Sequence, residues 1–334
     1  MELKKKRILI AGGYGLVGGN VARLIRKRYQ DVELILAGRT PQHGEQLARE
    51  LGNAKTAYLD LKAGFNAEQY GAINLVIAAT EDRSNILQEA AILNGFACIT
   101  ITEMAEDISP VVCRSLYKAF PAPIVLASHW QAGIITLIAK QISTKFSEIT
   151  RVETAGLYDE RDPVGPMVAE QVKKFVGNAL LRSQGEWKFV DAKENARDIH
   201  LYNGTQATGY PMGTLDVPSL AAITGSPNVR FDFATGVSIG THKGISASHD
   251  LYIDMEGVLT TGENSKLRTI VSDPKGYGHL TAVSIFLITE KILGLGDHPG
   301  IPAGGLYLPE TILLSDEITT RIEEFGIDVI IQAL

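Results

Sequence analysis

The sequence predicts an α/β chain in two domains: a doubly wound parallel sheet first, then a second α+β domain built on a mainly antiparallel sheet. Three observations carry that prediction. Short apolar runs alternate with helix-periodic segments through residues 1–130. A glycine-rich turn joins the first apolar run to the first helical segment. Beyond about Thr150 the alternation stops, and strand-like runs follow one another without helices of crossover length. Strands alternating with helices imply βαβ units, whose right-handed crossovers cover both faces of a parallel sheet. Strands in direct succession imply antiparallel pairing.

The elements follow in order. Ile8-Leu9-Ile10-Ala11 is a continuous apolar run, the mark of a central strand buried on both faces. Leu16, Val17, Val21, Leu24 and Ile25 then recur at helical spacing. Leu34 to Ala37 makes a second strand, and Thr40-Pro41 opens the helix that ends near Gly52. Ala57 to Leu59 and Leu75 to Ala79 are the third and fourth strands; Ser84 to Asn94 is a helix stopped by Gly95. Cys98 to Ile101 and Ile124 to Ala127 add two strands, with a helix around Val111 to Ala119 between them. In the second domain, 131–299, Val229 to Phe233 and Gly244 to Met255 read as strands, covered by helices at Pro166 to Leu181 and His279 to Leu293. Ser315 to Phe325 is an amphipathic helix, and its pattern alone does not say whether 300–334 packs back on the first domain.

Composition narrows the function classes. A chain of 334 residues exceeds what one core usually serves. A net charge of -6 gives no basic surface for nucleic acid. The apolar run after Lys4-Lys5-Lys6-Arg7 is broken by glycines too soon for a signal peptide, and Leu280 to Ile288 is too short for the roughly 20 residues that span a bilayer, so no membrane partner is expected. Cys98 and Cys113 form no CxxC pair, which fits a reducing, cytoplasmic setting. The seven histidines form no HExxH or Cys/His cluster, so no metal site is expected, and no Gly-x-Ser-x-Gly elbow supports a hydrolase.

The chemistry-bearing motif is Gly13-Tyr14-Gly15-Leu16-Val17-Gly18, preceded by Gly12 and set between the first strand and first helix. In that setting G-x-G-x-x-G is the dinucleotide-binding turn of a Rossmann domain: tight turn, close approach to the pyrophosphate, close helix packing. The helix N-terminus offers N–H groups and a positive dipole end to the diphosphate. After the second strand, where an acid would accept the ribose hydroxyls of NAD, the sequence has Gly38-Arg39-Thr40. A guanidinium there pairs with a 2′-phosphate, so NADP(H) is favoured over NAD. Asp60 and Leu61, after the third strand, are expected beside the adenine; Ala79 and Thr80, after the fourth, beside the pyrophosphate and nicotinamide ribose. For Asp60 a plain turn-capping role is the alternative.

Ile8 to Gly18, with Ala37-Gly38-Arg39 behind it, resembles the NADP-binding domain of saccharopine dehydrogenase-like oxidoreductases. The resemblance continues through Ala79-Thr80, the Asn94-Gly95 helix end and Gly305-Leu306-Tyr307-Leu308-Pro309-Glu310, which is similar to the family's closing G-x-Y-x-P-E segment. It implies hydride chemistry at the C–N bond of an amino-acid-derived substrate and a homodimer formed through the second domain. Two positions depart: Thr100 stands near where many relatives have an aspartate, and Ala132-Gly133 where they carry a P-G turn.

For proton transfer the best carrier is His129, which follows the sixth strand at the carboxyl edge of the sheet; Glu103, after the fifth strand, is second. Arg161, in Tyr158-Asp159-Glu160-Arg161-Asp162, is the candidate to hold a substrate carboxylate, although a charge run is more often a solvated loop. The reading is an NADP(H)-dependent oxidoreductase acting on a small molecule. An enoyl or acyl reductase, or an NADPH-sensing regulator without chemistry, are the alternatives.

Overall fold

A computed structural model describes residues 6–82, 84–101, 108–164, 177–301 and 303–334. The chain divides into two compact units, Met1–Ser128 with Thr281–Leu313, and His129–Leu280 with Leu314–Leu334.

The first unit is built on a seven-stranded parallel sheet. In chain order its strands are β1 (Arg7–Ala11), β2 (Glu33–Gly38), β3 (Ala54–Tyr58), β4 (Leu75–Ala78), β5 (Ala97–Thr100), β6 (Pro123–Leu126) and a late addition, Gly305–Tyr307. Every residue of β4 and β5 is buried, as continuous apolar runs require when helices cover both faces. From β1 the chain steps outward through β2 to β3, then returns to the other flank of β1 with β4. That reversal opens a crevice beyond the carboxyl ends of β1 and β4, where open α/β sheets take their ligands. Helix α1 (Leu16–Arg28) leaves β1 directly at this edge, and α2 (Glu45–Leu51), α3 (Ile86–Asn94) and α4 (Ser109–Tyr117) are the later connections.

The second unit holds a nine-stranded mixed sheet. After α5 (Ile134–Ser143) its spine is β7 (Phe146–Tyr158), antiparallel along nearly its whole length to β13 (His249–Leu259). β14 (Asn264–Asp273) and β16 (Asp328–Ala333) extend the sheet on that side. On the other side β12 (Val229–Thr235) pairs with β7 in parallel, an exception to the antiparallel expectation, and then with β11 (Gln206–Pro211) and through it β10 (Arg197–His200) in antiparallel fashion. A hairpin of β8 (Asn178–Ser183) and β9 (Glu186–Asp191) attaches where Arg182 faces Val229. The strand at Gly305–Tyr307, which pairs with β6 in the first unit, is β15.

Two sequence expectations are corrected here. The helix expected from Pro166 to Leu181 ends in strand β8; its first part, 166–176, lies outside the described residues. Ala179-Leu180-Leu181 is apolar enough for either state, and the following Gln184-Gly185 decides it. Both residues take positive φ, 54° and 82°, the two-residue turn whose twist suits a hairpin. The strand expected from Gly244 starts at His249 instead, because Ser238 caps a helical turn at Ile239–His242. No helix among the described residues is long and apolar enough to cross a membrane.

Candidate functional site

The glycine turn sits at the crevice of the first sheet. Gly12 N–H donates to Ala37 O (2.8 Å) and Ala79 N–H to Ala11 O (2.9 Å), so the ends of β2, β1 and β4 are tied together around it. At Gly18 a Cβ would fall 2.3 Å from Gly12 O, so the helix can lie this close to the turn only without a side chain. At Gly15 packing makes a weaker demand: a Cβ would meet only Gly12 O, at 3.2 Å. The space over Gly15 is where the motif brings a pyrophosphate. Gly15 is also the N-terminal cap of α1, with no side-chain bond to the helix and no acid in the first turn. The first N–H groups of α1 and the positive end of its dipole lie at this turn. These residues fit a dinucleotide diphosphate.

At the adenosine end Tyr14 is the organising side chain. Its hydroxyl accepts from Thr40 N–H at 2.9 Å, and its ring lies on Gly38, where a Cβ would sit 2.3 Å from the phenol oxygen. This fixes the course of the chain through Arg39 and Thr40, both exposed. Among the described residues Arg39 has no ion-pair partner, which suits a guanidinium reserved for a phosphate. Leu59 N–H donates to Gly38 O (3.0 Å), bringing Asp60 and Leu61 to the same edge. Asp60 Oδ1 accepts from Lys62 N–H at 3.1 Å, the capping role that the sequence left open. Ala79 and Thr80 follow β4 at the crevice.

His129 and Arg161 belong to the second unit, and Glu103 lies outside the described residues. His129 is 5% exposed, and its Nε2 is 2.8 Å from Ser219 Oγ. The chain then makes a strained turn. Gln131 and Ala132 have φ of 53° and 52°, and Gly133, at 95°, caps α5. Left-handed backbone at two successive non-glycine residues persists only where surroundings hold it. Trp130 does much of the holding: its N–H donates to Asp216 Oδ2 (2.8 Å) and its Nε1–H to His249 Nε2 (3.2 Å), while its ring packs on Phe231, Phe233 and Tyr277. Proline cannot adopt φ near +52°, so the backbone at position 132 excludes it.

His249 gathers the group around it. Gln131 Nε2–H also donates to its Nε2, at 3.0 Å. Two donors on one ring nitrogen leave the proton on Nδ1, which lies 3.9 Å from Asp162 Oδ2. Complete burial pushes the His249 pKa down to about 3. Burial, opposed by the Tyr277 N–H bond and aided by Asp273, Asp159 and Asp250, raises that of Asp162 to about 6. A second imidazole–carboxylate pair lies close in sequence, His279 Nδ1 to Asp273 Oδ2 at 2.7 Å. Sequence reasoning missed all four residues. Asp162 sits in a run that reads as a solvated loop, and burial of a single acid in such a run has no local signature. Arg161 beside it is exposed, its N–H donating to Asp159 Oδ1 at 3.0 Å. Among the described residues no cluster of three potential metal ligands occurs.

No family model and no curated protein matches the sequence. Solved structures do. Saccharopine dehydrogenase (L-Glu forming) from Saccharomyces cerevisiae superposes with a TM-score of 0.73 at 13% identity, over 98% of this chain and 100% of that one. The homospermidine synthase of Legionella pneumophila, solved with NAD, superposes at 0.68 with 9% identity, over 99% and 92%. Agreement over both chains at this identity is agreement of backbone course. The chain has the saccharopine dehydrogenase-like fold.

Proposed function

We propose that the chain is an NADP(H)-dependent oxidoreductase that moves hydride to or from a small substrate at a C–N bond. The observation that carries this reading is the glycine turn: Gly15, where a Cβ would meet no atom but Gly12 O, at the start of α1 with no side-chain cap, in a chain whose Arg39 is exposed. The two similar structures are named for saccharopine and homospermidine chemistry, and one of them holds NAD. When bound, the nicotinamide supplies the hydride donor or acceptor. The chain's own residues do the rest. The first N–H groups of α1 bind the pyrophosphate, and Arg39 pairs with the 2′-phosphate. His129, its ring oriented by Ser219, holds the proton that balances the hydride, and Arg161 holds a substrate carboxylate.

Fluorescence titration with both reduced cofactors tests the core of this. NADPH is expected to bind more tightly than NADH. Arg39→Ala removes most of the difference, about tenfold to a hundredfold, as loss of a charge-assisted hydrogen bond should. Equal affinities in the parent protein would refute the NADP assignment; absence of binding by either would refute the whole reading. Once a turnover assay exists, His129→Asn should lower kcat by about 10²–10⁴ while leaving NADPH affinity unchanged. Full turnover in that variant makes His129 a packing residue.

A further inference from the structure

A cavity of about 250 Å³ opens in the second unit where the β8–β9 hairpin meets β7 and β12. Four cations line it, Arg151, Arg182, Lys188 and Arg230, against one lining acid, Glu153. Three of the cations are already answered. Arg230 is forked onto Asp232, Lys188 faces Glu186 at 3.4 Å, and Arg151 lies 3.5 Å from Glu153 and 3.7 Å from Glu256. Glu153 is further shared with Arg197 at 3.5 Å, so its charge is not available to the remaining cation.

Arg182 is that cation. Among the described residues it has no ion-pair partner, and its Nε is shielded from solvent with no acceptor within hydrogen-bond reach. Its guanidinium carbon stands over the Trp187 ring, 5.5 Å from its centre. A buried N–H donor is almost always matched by an acceptor, and a flat guanidinium over an aromatic face presents its remaining donors as a pair. The complement to such a pair is a planar or tetrahedral oxyanion. Leu181, Val190 and Val229 give the same cavity apolar wall for a short carbon body. The cavity lies toward the start of β12 and the middle of β7; Val152 is six residues before Tyr158, about 20 Å along the strand from the end that carries Asp159 and Asp162.

We propose that this cavity is a subsite for a small oxyanion-bearing metabolite, a carboxylate or a phosphate ester, gripped by Arg182 over Trp187. Trp187 reports on it directly, because it touches the proposed anchor. The experiment follows Trp187 emission in the full chain as succinate or inorganic phosphate is added at constant ionic strength made up with chloride. A saturable change with either probe is expected, the stronger of the two identifying the carboxylate or the phosphate source. Arg182→Gln should weaken it about tenfold to a hundredfold. Arg182→Lys, which keeps the charge but not the fork, should fall between. Trp187→Phe should abolish the optical signal while calorimetry still detects binding. No saturable change, or equal affinity in the parent and the folded Arg182→Gln and Arg182→Lys proteins, overturns the proposal.

Discussion

Asp162 and His249 answer burial in the same way, each by giving up its charge, and their effects on stability run in opposite directions with pH. The folded pKa of Asp162, about 6, lies above its ordinary 3.8. Between those values the folded chain holds a proton that the unfolded chain has released, so this residue lowers stability as pH rises from about 4 to about 6. The folded pKa of His249, about 3, lies below its ordinary 6.5. There the unfolded chain takes a proton the folded one refuses, so stability is lost as pH falls from about 6.5 toward 3. Over the shared window the two slopes offset each other. Asp162→Asn keeps the acceptor for Tyr277 N–H and removes one slope. It should raise stability at pH 7 by about 1–3 kcal/mol and expose a steeper loss on acidification. His249→Gln should show the reverse, with stability falling as pH rises from 4 to 6. Urea midpoints measured from pH 4 to 7.5 check both; curves parallel to the parent's would refute the account.

The turn from His129 to Gly133 makes its argument at the level of the element. A pyrrolidine at 132 would force φ away from +52° and delete the bond from Ala132 N–H to His129 O at 3.1 Å. Ala132→Pro is therefore expected to destabilise by about 3 kcal/mol or more, read as a drop in melting temperature. An unchanged melt would mean that the turn is not held as described. This turn and the glycine turn differ sharply in how legible they were. Gly18 is required by Gly12, six residues away, and both stand in one motif that can be read along the chain. The left-handed course at Gln131 and Ala132 is held by Asp216 and His249, roughly a hundred residues distant, and no local pattern announces it. The same contrast explains the strands. The buried runs of β1 and β4 declared themselves by composition, whereas β8 needed the backbone of Gln184-Gly185 to decide between helix and hairpin.

At the scale of the whole molecule, the second sheet ends in β16, which exposes Ile330 and Ile331 at 45% and 41%, with Leu334 just beyond it at 56%. An apolar terminal strand of this kind is normally covered, and a second copy would cover it with closed symmetry. Light scattering on the eluting protein should therefore give the mass of two 36.1 kDa chains; a single-chain mass across concentrations would refute the dimer. The path of the chain has a further consequence. It passes from one unit to the other at 128/129, 280/281 and 313/314, and the helix Tyr277–Leu293 runs straight through the second of these points. β15, at 305–307, is the seventh strand of the first sheet, and β16, at 328–333, completes the second. On the ribosome, then, neither sheet has its last edge strand while the first three hundred residues emerge. The first unit gains its last strand with β15 and the second with β16, so both sheets are completed within the same few seconds of synthesis at about 5–20 residues per second.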